Sequence, residues 1–315
     1  MPSHGIRLDA EFLTIMVGAM ALSYFVTDQI VSNFLFSTLI ASLFFLMGLH
    51  LDINKFRKNI HRRGELGLGL IMVYLFAPVL AFVLARYIGG YIGEALIAIG
   101  VSTAAIGSPV VWSNIGKGDD GAAFMISSVS LLAGILVIPV LLFTMNQSIN
   151  VFDLFAKNIL ILGAPLGLGI SAQRYNHTVF NDMKHHFSKL SLWLLILMMG
   201  VQAHLLFQTE GFGFLQSILP TIPIFIGFTA LSYAVGYYSA KELGFLEKTA
   251  RSIGFVTGSK GIAVALFVAA QLGGKAVLAV SIYFFIRQAV CGGIAEYYKH
   301  SSDLEKALRS INSSM

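Results

Sequence analysis

Charge is scarce in this sequence: Asp, Glu, Lys and Arg make up 12% of its 315 residues, while hydrophobic residues make up 56%. Soluble domains carry about a quarter charged residues. The shortage, with a mean hydropathy of +0.78, excludes a soluble globular protein and points to an all-α polytopic membrane protein. Cysteine is nearly absent too: Cys291 stands alone, so an intramolecular disulfide is excluded and the residue reads as a small buried one. No pairing of nucleophile and base, no metal-ligand cluster and no phosphate loop is found, so the pattern favours no enzyme, no catalytic residue and no cofactor. The net charge of +5 comes from basic residues in short loops between apolar runs. Such loops report topology and exclude nucleic acid as a partner.

What the sequence does hold is ten apolar runs, centred on 11–31, 33–51, 66–88, 95–115, 121–145, 154–172, 190–207, 219–240, 253–272 and 276–297. Each is long enough for a membrane helix, and together they leave no room for a separate soluble domain. The first run is too long for a signal-peptide core and is expected to be a retained span. One membrane domain over 1–315 is the expectation, with lipid as its surroundings and no oligomeric state implied.

The gap after the second run, "DINKFRKNIHRRGE", carries Lys55, Arg57, Lys58, Arg62 and Arg63, the densest basic cluster in the chain. Positive loops stay inside, which puts both termini in the cytoplasm. The other inside segments then hold Arg7, Lys117, Arg174, Lys184, Lys189, Lys241, Lys248, Arg251, Lys299, Lys306 and Arg309, against Lys275 outside and Arg86 and Lys157 at span ends. Five spans followed by five give two halves of opposite orientation, the plan of a transporter with inverted repeats, here about 11–145 and 154–297. Residues 298–315 form a cytoplasmic tail with the spacing of a short amphipathic helix, for which a solvated tail is the default reading.

Each half has one interrupted span. The fourth run contains "STAAIGSPVVWSN" and the ninth "GFVTGSKGIAVALFVAAQL", with Gly-Ser followed by Pro109 in one and Lys260 in the other. Proline removes a backbone donor, and Gly-Ser tolerates unwound chain. Unwound backbone survives in a membrane only where protein or a wet cavity covers it. Two breaks meeting near the midplane would offer half-helix ends to a substrate. Small residues in membrane helices also serve plain packing. It is the placement of one break in each half that favours function.

At these residues the chain resembles the bile acid:sodium symporter family, of the bile/arsenite/riboflavin transporter superfamily. The stretch "LFFLMGLHLDINKFRKNIHRRGELGLGLIMVYLFAPVLAFVLARYIG" is similar to the family's second and third spans. "GKGDDGAAFMISSVSLLAGILVIPVLLF" is similar to its Gly-Asp turn and fifth span, with Ser127 and Ser130 where hydroxyls are common, and "VLAVSIYFFIRQAVCGGIAEYY" looks like its last span. The resemblance implies ten helices in a panel and a core domain, with discontinuous helices 4 and 9 crossing in the core. It also implies where sodium ligands should stand. Counting back from Asp119, Pro109 and Val110 occupy the family's Ser-Asn positions, and in the ninth span Val256 stands at its acidic residue and Lys260 at its Gln. No Asp or Glu occurs from Ile253 to Leu272. A hard cation in a low-dielectric site needs several oxygens and normally a carboxylate, so sodium coupling is disfavoured.

Lys260 then stands where the ion would be, as a fixed charge or as a carrier of a proton. Arg287, beside Gln288 in the tenth run, is a second deep cation, whereas Asp28, Glu94, Asp153 and Glu296 lie near span ends. Two cations without acids favour an anionic substrate. A structural role is the competing reading for each: Lys260 snorkelling or capping broken-helix carbonyls, Arg287 bonding carbonyls. Thr257, Gly258, Ser259, Ser108, Pro109, Asn114 and Ser127 complete the candidate substrate site, each also readable as packing glue. His204 reads as interfacial, and His50, His61, His185 and His186 as loop-margin residues.

The expected function is a secondary transporter of a small organic anion, sodium-independent, with proton coupling through Lys260 as an option, in a bacterial or archaeal cytoplasmic membrane. A monovalent cation/proton antiporter, a sodium-coupled organic anion symporter and a non-transporting sensor or scaffold are the alternatives. Against the antiporter, Asp119 and Asp120 fall in the turn before the fifth run. An arsenite-type exporter lacks its usual cysteine in the fourth.

Overall fold

The computed structural model describes residues 29–51, 61–145, 151–175, 193–198 and 219–312, with a few single residues between them. The first run, nearly all of it, and His204, His185 and Asp28 lie outside these residues. Among the described residues the fold is all helix, and its one β-type contact is an isolated bridge.

Among the described residues the main helical elements follow in chain order. They are α1 (Gln29–His50), α2 (Arg63–Ile88), α3 (Gly90–Val101), α4 (Ser108–Ile115) and α5 (Asp120–Met145), then α6 (151–175), α7 (Thr221–Glu242), α8 (Glu247–Gly258), α9 (Ile262–Leu272) and α10 (Gly274–Asn312). Two contain a π turn, Met72–Phe76 in α2 and Asn158–Gly163 in α6. Among the described residues five helices are long and apolar enough to cross a membrane: α2, α5, α6, α7 and α10. Shorter apolar helices are Phe34–His50, Gly90–Val101 and Ile262–Leu272.

One apolar core joins α1 and α6 to the helices around the breaks. The closest partner of α1 is α6, where a Cβ on Gly169 would lie 2.1 Å from the Phe45 carbonyl and one on Gly48 would lie 2.4 Å from that of Leu166. With no side chain on either glycine the two backbones touch, the small-residue mode of helix association in lipid. Elsewhere α2 packs on α3, α7 on α8 and α10, and α10 on α3 and α9. The centre of this group is built from buried small residues, among them Ala95, Ala98, Ala263 and Ala265. Small side chains let broken helices come close enough for their backbones to bond.

One sequence expectation is corrected by the chain's course. The first break is not at Pro109. The unwound segment is Ser102–Gly107, and Pro109 sits in the first turn of α4, where its missing N–H would be unused anyway. After residue 297 the chain stays helical, and α10 continues to Asn312. Asp120 opens α5, and Asp119 precedes it, as the turn reading has it.

Candidate functional site

The two breaks lie against each other. Ala104 and Lys260 form an antiparallel bridge, in which Gly261 N–H donates to the Thr103 carbonyl at 2.7 Å and Ala105 N–H to that of Ser259 at 2.9 Å. The register sets Thr103-Ala104-Ala105 against Ser259-Lys260-Gly261, so the structural counterpart of Lys260 is Ala104 rather than Pro109. Gly261 is required by closeness: a Cβ there would stand 2.9 Å from Thr103 Oγ1. Each break thus satisfies part of the other's backbone, which the dry interior demands.

Lys260 has no exposed surface. Its ammonium donates to the Val73 carbonyl in the π turn of α2 at 2.9 Å. Its own carbonyl accepts from Arg287 Nη1 at 2.5 Å. Arg287 is 3% exposed, bonds Gln288 Oε1 at 3.3 Å, lies over the Phe284 ring, and leaves its buried Nε unpartnered. Among the described residues neither cation forms an ion pair with a carboxylate; the ion pairs found there involve Arg62, Lys241, Arg251, Lys299 and His300. The two cations do not converge side chain to side chain. They are joined through the backbone of residue 260.

The remaining candidates divide. Ser259 and Gly258 are at the crossover: Ser259 Oγ lies 3.4 Å from Cys291 Sγ, and the Gly258 carbonyl accepts from the Tyr283 hydroxyl at 3.2 Å. Thr257 is buried in the last turn of α8 with its hydroxyl on the Ile253 carbonyl at 2.8 Å. Ser127 is buried with an unpartnered Oγ, and so is the Oγ of Ser108 at the start of α4. Pro109 is buried in the same turn, Asn114 is exposed at the far end of that helix, and Gln288 is half-buried.

Sequence reasoning missed Val73, Tyr74, Thr103 and Tyr283. Tyr74 donates to the Ser130 carbonyl, and Ser130 Oγ accepts from Ala104 N–H at 2.9 Å, tying α2 and α5 to the first break. Thr103 is buried with an unpartnered Oγ1. Tyr283 lies four residues before Arg287, on the same helix face, and that spacing was a usable signal. For Val73 the signal was Pro78.

At the expected cytoplasmic end the polar contacts are salt-bridged. Arg62 Nη2 meets Asp119 Oδ2 at 2.6 Å, and Asp119 N–H donates to the Lys248 carbonyl and to Ser252 Oγ. Burial pushes the Asp119 carboxyl up, but the bonds from Arg62 and the N–H groups of Ala122 and Gly121 hold it below its ordinary value. Glu247 is likewise held low: burial pushes it up, and the bonds from Tyr237, Arg251 and Lys241 prevail.

A model of the Sodium Bile acid symporter family matches residues 37–209, more than half of the chain. The chain belongs to that family. Similar relatives are two plant proteins named probable sodium/metabolite cotransporter BASS3, chloroplastic. The Arabidopsis thaliana protein is 23% identical over 276 residues, 84% of this chain and 62% of the relative. The one from Oryza sativa subsp. japonica is 24% identical over 286 residues, 87% of this chain and 66% of the relative. The chain spans just under two thirds of the length of either. Family membership, with the apolar helices, makes this an integral membrane protein of a transporter family. The family match includes the first break and ends before the second, so it does not extend to Lys260.

Proposed function

We propose that this chain is a secondary transporter of a small organic anion, working by alternating access without sodium, with Lys260 as the charge the anion takes for a partner. The observation that carries the reading is the Lys260 ammonium, wholly buried between two broken helices, held by a neutral carbonyl and by no carboxylate. A buried cation without a counter-ion favours whatever anion can reach it. The carbonyls of Thr103, Gly258, Ser259 and Lys260 already accept donors of the chain itself. These oxygens are the kind a sodium ion would need, which supports sodium independence. A family plan of ten spans in two inverted repeats, panel against core, suits the meeting of two broken helices, one from each half of the chain.

The relatives' name, sodium/metabolite cotransporter, favours a second reading in which sodium drives the anion. Proteoliposomes decide between them. A panel of labelled carboxylates and sulfonates is offered under sodium and proton gradients imposed separately, to the native protein and to Lys260→Ala and Lys260→Gln. The expected result is uptake that needs no sodium and is lost in both variants. Sodium-driven uptake unchanged by both substitutions overturns the reading in favour of the second. Exchange of sodium or potassium for protons without anion movement replaces it with an antiporter, and no flux at all replaces it with a sensor.

A further inference from the structure

The acceptor of Lys260 is made available by a proline. In the π turn Met72–Phe76 the N–H of Ala77 donates to the Met72 carbonyl, five residues back. In that register the next carbonyl, Val73, would be served by residue 78. Residue 78 is proline, which has no N–H. The Val73 carbonyl is therefore left without a helix donor, at a residue with no exposed surface, and the Lys260 ammonium fills the vacancy at 2.9 Å.

The order of cause can be read from α6, which repeats the local pattern without a lysine. There Ala164 N–H donates to the Ile159 carbonyl, again five back, and Pro165 follows. The carbonyl left over belongs to Leu160, whose residue is 72% exposed. The π turn thus goes with the Ala-Pro step and not with a lysine. Pro139, inside α5, frees the Ile135 carbonyl in the ordinary α register, and Asn158 Nδ2 from α6 approaches it at 3.4 Å. In two places in this fold a carbonyl freed by proline meets a buried side-chain donor from another helix.

We propose that Pro78 is a positioning residue for Lys260. By withholding an N–H it reserves the Val73 carbonyl for the ammonium, while Tyr74 and Ser130 hold the same turn of α2 to the Ala104 side of the bridge. The acceptor is neutral, so the lysine is fixed in place while its charge stays uncompensated, and an incoming anion has one carbonyl to displace rather than a carboxylate. The inference takes from the proposed function the role of Lys260 as the working charge, but its geometry is tested without any substrate.

Val-Tyr occurs once in the chain, at Val73-Tyr74. Labelling valine with 13C at the carbonyl and tyrosine with 15N therefore gives one resolved carbonyl resonance in lipid bilayers. Lys260→Met is expected to move that resonance upfield, the direction for a carbonyl that loses its donor. In a Pro78→Ala background, where residue 78 has its own N–H, Lys260→Met is expected to leave it unmoved; Pro78→Leu restores the same N–H should the alanine variant not fold. A resonance indifferent to Lys260→Met with Pro78 present overturns the proposal, and so does an equal shift in both backgrounds. The outcome is independent of which substrate, if any, is carried, so a failure of the transport reading is not mistaken for a failure of this one.

Discussion

Arg287 reaches Lys260 through the backbone: its Nη1 donates to the Lys260 carbonyl at 2.5 Å, while the Lys260 ammonium bonds Val73 on a different helix. The guanidinium therefore caps a carbonyl that the break in helix geometry leaves free, and the two positive groups are spaced by the peptide unit between them. Their roles separate in consequence. Lys260 keeps N–H groups beyond the one used on Val73, while Arg287 puts Nη1 on the break and Nη2 on Gln288 and leaves Nε without a partner.

Arg287→Met is expected to lower unfolding stability by about 1–3 kcal/mol, the cost of a buried carbonyl left without its donor. Lys260→Met exposes a different carbonyl to the same loss but also removes the charge assigned to the substrate. Thermal unfolding in detergent, measured beside anion flux, separates the two. Arg287→Met should lose stability, and Arg287→Lys, which keeps the charge but not the planar fork, should not restore it in full. Equal stability of native protein and Arg287→Met would deny the capping role.

Gly261→Ala is expected to part the two breaks. The added Cβ would lie 2.9 Å from Thr103 Oγ1 and 3.2 Å from the Thr103 carbonyl, against the very residue whose carbonyl accepts Gly261 N–H at 2.7 Å. Overpacking of this kind costs about 1–3 kcal/mol. Gly227→Ala is the matched control, since a Cβ there meets nothing within 4 Å. Circular dichroism melts of the two variants should differ in midpoint at equal helical content, and transport should fall in Gly261→Ala alone. Identical melts would mean that the bridge yields without cost.

How far the sequence discloses this arrangement depends on the kind of signal. Hydropathy and loop charge find the apolar helices because each span carries its signal locally, in some twenty residues. The second break is legible at Gly258-Ser259-Lys260, where the interruption and the unusual residue coincide. The first is misplaced, because Pro109 looks like the breaker when its covalent constraint suits the start of a helix. The pairing of Lys260 with Ala104 is invisible in the sequence, since alanine carries no chemical mark and its part is played by the backbone. Val73 is hidden for the same reason. Only the position of Pro78 betrays it, and that requires knowing that the helix runs in π register just before the proline.

Gly169→Leu is expected to detach α6 from α1. A Cβ at 169 would stand 2.1 Å from the Phe45 carbonyl and 3.0 Å from Gly48 Cα, both backbone atoms that cannot swing aside. The interface is built on that approach, so loss of it should exceed the usual 1–3 kcal/mol of overpacking, to about 3 kcal/mol or more. Cysteines introduced across the two helices, in a Cys291→Ser background, would report contact by crosslinking. Undiminished crosslinking in Gly169→Leu would show that the helices do not depend on backbone contact.

Asp119 should make stability pH-dependent on the acid side. Its carboxyl is held below its ordinary value in the folded protein: burial pushes it up, and the Arg62 bond at 2.6 Å with the N–H groups of Ala122 and Gly121 more than offsets this. A group with a depressed folded value adds stability that is complete above its unfolded value and is lost as pH falls through the folded one. The partners are each less than a third exposed, and a pair of this kind contributes about 0.5–1.5 kcal/mol. Asp119→Asn should therefore melt lower than the native protein near neutral pH and converge with it as the medium is acidified below the ordinary carboxylate range. Since Asp119 N–H also bonds Lys248 and Ser252 of α8, the loss should appear as separation of the α4–α5 turn from α8, read by faster hydrogen exchange over 116–119 and 248–252. A constant difference in melting at all pH values would assign the effect to shape rather than charge.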